Sequence, residues 1–227
     1  MGFMYKSIGF FTGLALMIVF IISSAEYVIC YMDGYFEKEY RKYNVTKAIN
    51  IEISDLMLVT HEMMDYLRDD RDDLIIFTKI AGEEREFFNA KEKRHMVDVQ
   101  KIFIQAIQLR RFALLFSILA MGVLLYLKKG YYLFQGIQWG ISTFFLLTGV
   151  LVVLMMQNFN RYFIMFHHVF FSNDDWILNP KTDLLINIVP EGFFQDTAFW
   201  ISGIFLVSAF VIWVLSWFLA KRMKTGE

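Results

Sequence analysis

The chain has 227 residues, of which 57% are hydrophobic and 18% aromatic, with a mean hydropathy of +0.44. So large an apolar share exceeds that of ordinary soluble domains and places the protein in a membrane. A formal charge of −1 offers no basic surplus, so no nucleic-acid partner is expected, and the single cysteine, Cys30, allows neither an internal disulfide nor a cysteine-based zinc site.

Four stretches are apolar enough to cross a hydrocarbon core, which takes about 20 residues in helical form. They run from about Ile8 to Cys30, Phe112 to Leu127, Tyr131 to Met156 and Ala198 to Ala220. The first is read as a span and not as a signal peptide, because its apolar region exceeds the roughly 7–15 residues of a signal core and only Lys6 precedes it. Ile29 before Cys30 does not suit a lipoprotein processing site, so Cys30 reads as a buried membrane thiol. The second stretch is short, but the amphipathic IFIQAIQL before it extends it backward.

Cations flanking membrane spans stay on the cytoplasmic side. If four spans alternate, Lys6, the Lys128–Lys129 pair, and Lys221, Arg222 and Lys224 fall on one face, which predicts that both termini are cytoplasmic. Arg110 and Arg111, at the other end of the second span, run against the rule and are outnumbered.

Residues 31–109 are then a cap outside the membrane, and 157–196 a second outer segment rich in aromatic residues. In the cap, TKAINIEISDLMLVTHEMMDYL places Ile49, Ile53, Leu56, Thr60, Met63 and Leu67 on one helix face. DDRDDL follows as a solvated turn or helix end, its four aspartates sharing space with Arg68 and Arg71. From Glu83 a second helical pattern, with Met96, Val99, Phe103 and Ala106 on one face, leads toward the second span. The expected architecture is an all-α integral membrane protein: four transmembrane helices with a helix-containing extracellular cap. Its segments are 1–30 (first span), 31–109 (cap), 110–156 (second and third spans with a short cytoplasmic turn), 157–196 (outer aromatic segment) and 197–227 (fourth span and cytoplasmic tail).

Two blocks carry imidazoles toward that outer face. FHHVFFSNDDWILNP, residues 166–180, sets His167 and His168 among phenylalanines at the lipid–water seam, where an aromatic belt is the plainer explanation. EKRHMVDV, residues 92–99, puts Glu92, His95 and Asp98 at successive steps of three, so all three lie near one helix face. A carboxylate beside an imidazole fixes its tautomer in many catalytic pairs, although for the pattern alone a surface ion pair is the plainer explanation. His61 in THEMMDYL lacks the second histidine of a zinc-protease motif. The chain has no G-x-S-x-G elbow, no S-x-x-K and no P-loop, so an enzyme built on it would take its nucleophile from the substrate.

EKRHMVDV, together with NRYFIMFHHVFFSNDDWILNPKTDLLINIVPEGFF, resembles the bacterial membrane family that contains the lipoprotein intramolecular transacylase, Lit. The resemblance implies that His95 and His167 are the catalytic pair, while His168 occupies a variable position and takes no role. It also implies a substrate, a diacylated lipoprotein with a free α-amine on its N-terminal cysteine. The acyl chain on the sn-2 glyceryl oxygen would move to that amine at the outer surface of the bacterial cell membrane and leave the lyso form. Membrane lipids are the other partner.

That chemistry suits the residues. An α-amine titrates at about 7.7–8.0 and a histidine near about 6.5, so one imidazole is fit to accept the amine proton. The other would stabilise the oxyanion or protonate the glyceryl oxygen, and the sequence does not assign the two roles. Glu92 or Asp98 is a candidate to orient His95, and Asp174 or Asp175 to orient His167. Phe163, Phe166, Phe170, Phe171 and Trp176 are candidate walls of a substrate pocket that enforces proximity, with Tyr66 or Arg161 on polar parts of the substrate; each is equally explained by packing. An amide is more stable than an ester, so no cofactor is expected, and no metal. Two other readings stand beside this one: a non-catalytic membrane partner or sensor using its cap, and a metal-dependent lipid hydrolase.

Overall fold

The computed structural model describes residues 2–224, so the end of the expected cytoplasmic tail, residues 225–227, lies outside the described residues. The elements in order are α1 (Gly2–Glu26), a π-helical turn (Tyr27–Tyr31), α2 (Tyr35–Lys42), α3 (Val45–Ile49), α4 (Ile53–Leu67), β1 (Phe77–Ile80), β2 (Glu83–Glu86), α5 (Ala90–Tyr126), α6 (Gly130–Gln157), α7 (Phe159–Phe170), α8 (Leu185–Ile188) and α9 (Glu191–Lys224). They fall into two compact units, one of Met1–Ala25, Ile107–Tyr162 and Ile201–Glu227, the other of Glu26–Ala106 and Phe163–Trp200.

The first unit owes its packing to glycines. Lipid supplies no hydrophobic force between helices, so association depends on close backbone approach. Gly9 and Gly13 of α1 meet Gly136 and Gly140 of α6, and a Cβ at Gly140 would lie 2.3 Å from the Phe10 carbonyl oxygen. Met17, Leu124, Leu133, Ile137, Ile141, Phe205 and Ala209 form the core beside this contact. Thr12, Ser24 and Ser117 are buried with their hydroxyls donating to the carbonyl four residues earlier, which satisfies them without a partner helix. Large apolar side chains such as Phe112, Trp139, Leu146, Val207 and Phe210 are exposed, the surface a hydrocarbon solvent would cover.

Among the described residues four helices are long and apolar enough to cross a membrane: Gly2–Tyr31, Ala90–Tyr126, Gly130–Leu154 and Glu191–Lys224. At 1.5 Å per residue α5 is about 55 Å long, against a hydrocarbon core of about 30 Å. Lys91, Glu92, Lys93, Arg94, Asp98 and Lys101 lie in its first turns, ahead of the apolar stretch that begins at about Phe112.

The second unit departs from the expected pattern in two places. The helix expected over residues 46–67 is interrupted at Asn50, whose left-handed backbone (φ 52°) ends α3, so Ile49 reaches the core from a different helix than Leu56, Thr60, Met63 and Leu67. The helical pattern read from Glu83 is a strand there: β1 and β2 form an antiparallel hairpin that pairs Phe77 with Glu86 and Ile80 with Glu83, so the fold is not purely α-helical. Ala81 and Gly82, both at positive φ, make the two-residue turn that suits the strand twist. The helix resumes at Ala90. DDRDDL is a turn: Arg68 bonds Asp65 at 2.5 Å, and Arg71 bridges Glu62 and the Asp73 carbonyl. On its other flank the unit packs Tyr35, Phe36 and Tyr40 of α2 against Phe193 at the start of α9, and Tyr35 shares a 2.6 Å hydrogen bond with Thr197.

Candidate active site

The start of α5 is fixed by a capping box. The Asn89 side-chain oxygen accepts from the backbone N–H of Lys91 (2.9 Å) and Glu92 (3.0 Å), and one Glu92 carboxylate oxygen accepts in return from Asn89 N–H at 2.7 Å. The other Glu92 oxygen accepts from Leu185 N–H at 2.6 Å, the first residue of α8. Asp183 takes hydrogen bonds from the Asn89 amide (2.9 Å), Asn179 N–H (2.7 Å) and the Thr182 hydroxyl (2.9 Å). The turn of helix just before His95 is thereby pinned to residues 179–185.

His167, on the last turns of α7, is set from within its own helix. Its Nδ1 lies 2.7 Å from the Phe163 carbonyl oxygen, which can only accept. Nδ1 therefore carries a proton, and in the neutral ring the lone pair is on Nε2.

The two imidazoles meet. Their ring centroids are 6.3 Å apart with 31° between planes, and each residue is 8% exposed. Phe171 packs on both, at 5.1 Å from His95 and 5.3 Å from His167. Phe163 (4.2 Å), Trp176 (4.7 Å) and Phe166 (5.5 Å) complete the surroundings of His167.

This enclosure sets the electrostatics. Burial, helped by its neighbour His167, pushes His95 down to about 4 against the opposing charges of Asp98 and Asp175. Burial also lowers His167, against the opposing hydrogen bond to Phe163, with His168 adding to the depression. Both rings are neutral at pH 7.

A loop closes over the pair. Asp98 accepts from the Asn173 amide at 2.8 Å, Arg94 grips Asp175 through two bonds of 2.9 and 2.8 Å, and the Lys91 ammonium donates to the Ile177 carbonyl. Residues 91, 94 and 98 share one face of α5, so loop 172–178 is strapped along that face and delivers Trp176 onto His167.

Of the residues singled out in the sequence, the structure brings His95, His167, Phe163, Phe166, Phe171 and Trp176 into one cluster. Phe170 stacks on Phe166 at 4.5 Å, one ring further out. His168 is exposed and meets the edge of Trp176 at 5.3 Å. The carboxylates are committed elsewhere: Glu92 to backbone N–H groups, Asp98 to Asn173 and Lys101, and Asp175 to Arg94, while Asp174 is exposed. Tyr66 is buried in the core of the second unit, its carbonyl accepting from Gln100, and Arg161 is an exposed residue of the first unit. The sequence reading missed Asn89, Asp183, Arg94 and Asn173, of which only Asn89 had a legible signal, the Asn-x-x-Glu of a capping box. Among the described residues no group of three or more His, Cys, Asp or Glu side chains is arranged to hold a metal ion.

These features define a multi-pass helical membrane protein with a buried histidine pair. The sequence model of the lipoprotein intramolecular transacylase Lit matches residues 10–194, and the chain belongs to that family. The fold is similar to that of Lit from Bacillus cereus solved in meso, with a TM-score of 0.81 at 20% identity, covering 99% of this chain and 100% of that one. Two structures of the Bacillus cereus protein in which a histidine is replaced by arginine or by alanine give TM-scores of 0.78 and 0.77, again at 20% identity; they cover 100% and 99% of this chain and 96% and 97% of theirs. No curated protein matches the sequence.

Proposed function

We propose that this protein is a lipoprotein intramolecular transacylase. The α-amine of a diacylglyceryl-modified N-terminal cysteine attacks the carbonyl carbon of the sn-2 ester in the same molecule. A carbon–nitrogen bond forms, the carbon–oxygen bond to glycerol breaks, and the amine proton ends on the glyceryl oxygen, giving an amide and a free hydroxyl. His167 carries that proton, because its Nε2 lone pair is free and the Phe163 carbonyl stabilises the imidazolium as it forms. His95, too weakly basic at about 4 to hold a proton, serves as a neutral donor to the carbonyl oxygen as charge builds there. The nitrogen becomes cationic on attack and is then far more acidic than the free ammonium, so a weak base suffices to relieve it. Both termini are cytoplasmic, and the second unit faces the outer side, where mature lipoproteins reside.

Family membership supports this reading, and one observation carries it: two histidines from distant parts of the chain, in α5 and α7, are enclosed together, with no carboxylate among the described residues bonded to either ring. Membranes containing the protein and a diacylated lipoprotein should yield the lyso form, read by mass spectrometry of the N-terminal lipopeptide. His95→Ala and His167→Ala should each abolish it. Lyso lipoprotein persisting in both variants, or free fatty acid in place of the amide, would refute the proposal.

A further inference from the structure

The histidine cluster encloses two polar atoms that have no hydrogen-bond partner among the described residues: Nδ1 of His95 and Nε1 of Trp176. Folding leaves buried polar groups unpaired only rarely, because the bonds they made to water are lost without replacement. The two atoms belong to side chains that both neighbour His167, whose ring centroid is 6.3 Å from that of His95 and 4.7 Å from that of Trp176. An indole nitrogen only donates, so whatever satisfies it must be an acceptor. His167 is not that acceptor: 31° between the planes makes the pair nearly stacked, and an in-plane N–H does not point at the ring beneath it.

We propose that the indole N–H of Trp176 donates a hydrogen bond to the acyl carbonyl oxygen of the substrate as that oxygen becomes an oxyanion. This rests on the transacylase reading above and extends it from the histidines to a second donor. The Phe-rich surroundings need no indole to make a wall; an apolar ring would fill the same space. What the indole adds is a donor held in place before the reaction, and the strap supplies the holding. The Arg94–Asp175 pair brackets Trp176 on one side and the Lys91–Ile177 contact on the other, so its neighbours in the loop are both anchored to the helix that carries His95. A donor fixed in a water-excluded site stabilises developing charge without reorganising.

The test is kinetic, in membranes or detergent with a synthetic diacylglyceryl lipopeptide. Trp176→Phe keeps a ring in the wall and removes the N–H. Loss of one oxyanion donor should lower kcat roughly 10²-fold, with KM and melting temperature nearly unchanged. A Phe variant that keeps wild-type kcat, or whose only change is a raised KM, overturns the proposal if His95→Ala and His167→Ala are inactive in the same assay. Turnover in those histidine variants overturns it together with the transacylase reading. A second measurement leaves the wild-type residue in place. The indole 1H–15N resonance of Trp176, assigned by elimination with phenylalanine at Trp139, Trp200, Trp213 and Trp217, should move downfield when a diacylglyceryl lipopeptide lacking the α-amine is added. A resonance that stays put under saturation overturns the proposal whatever the fold of the Phe variant.

Discussion

Replacing Glu92 by alanine removes the acceptor for two backbone N–H groups at once, those of Asn89 at 2.7 Å and Leu185 at 2.6 Å, in a side chain only 1% exposed. Each orphaned buried donor costs about 1–3 kcal/mol. Part of that is returned, because burial raises the Glu92 pKa and the ionised side chain is therefore itself under a desolvation penalty. The net loss should be about 2–4 kcal/mol, which in a chain of this size lowers the melting temperature by about 5–15 °C. Glutamine has a single oxygen and can serve only one of the two donors, so Glu92→Gln should lose less than Glu92→Ala. Unfolding followed by the fluorescence of the five tryptophans, in one detergent at one protein concentration, measures both. Because the lock lies one turn before His95, kcat should fall in the same order as stability. An alanine variant that melts with the wild type would refute the claim that this carboxylate ties α5 to α8.

The pH dependence of turnover follows from two imidazoles held below their ordinary value, His95 at about 4. Since both are shifted toward the neutral form, the rate should climb with the deprotonation of the substrate amine, about 7.7–8.0, and then level off; an acid limb near 6.5 in kcat would show an ordinary, solvated histidine instead. In the first unit, Gly140→Ala would bring a methyl group to 2.3 Å from the Phe10 carbonyl and force α1 from α6, lowering the melting temperature. Gly149→Ala, where nothing lies within 4 Å, should be neutral or slightly stabilising, by up to about 1 kcal/mol.

The spans were legible because a hydrocarbon solvent imposes a long apolar run that no local feature overrides. Where α5 begins was not: the charged turns after Ala90 are held by Asn89 and Asp183, and a capping lock leaves almost no trace in hydropathy. The hairpin was hidden for a related reason. EERE has no apolar alternation, and its pairing with FTKI depends on the Ala81–Gly82 turn, a signal carried by backbone conformation. The histidine blocks stood out because imidazoles are scarce in this chain. The carboxylates beside them misled, since Glu92 and Asp98 lie one turn from His95, yet their acceptors are satisfied by Asn89, Leu185 and Asn173. Spacing fixes which residues share a helix face and says nothing of competing donors brought up from residues 173–185.

Those diverted carboxylates bear on the proposed chemistry. A carboxylate bonded to an imidazole would stabilise the imidazolium and make the ring a stronger base, which suits a group that must keep the proton it takes. An intramolecular acyl shift asks for the opposite, because the proton leaving the amine is due on the glyceryl oxygen moments later, and a base that holds it tightly delays the second half of the reaction. Asp98 and Asp175 are held below the usual carboxylate range chiefly by Asn173 and Arg94, and reach His95 only as weak background charge. His167 is left with a backbone carbonyl, a neutral acceptor that orients the ring without a large gain in basicity. The same Asp98 and Asp175 clamp the strap that carries Trp176. In the proposed chemistry, moving them from the imidazoles to the loop would serve proton return and donor placement together.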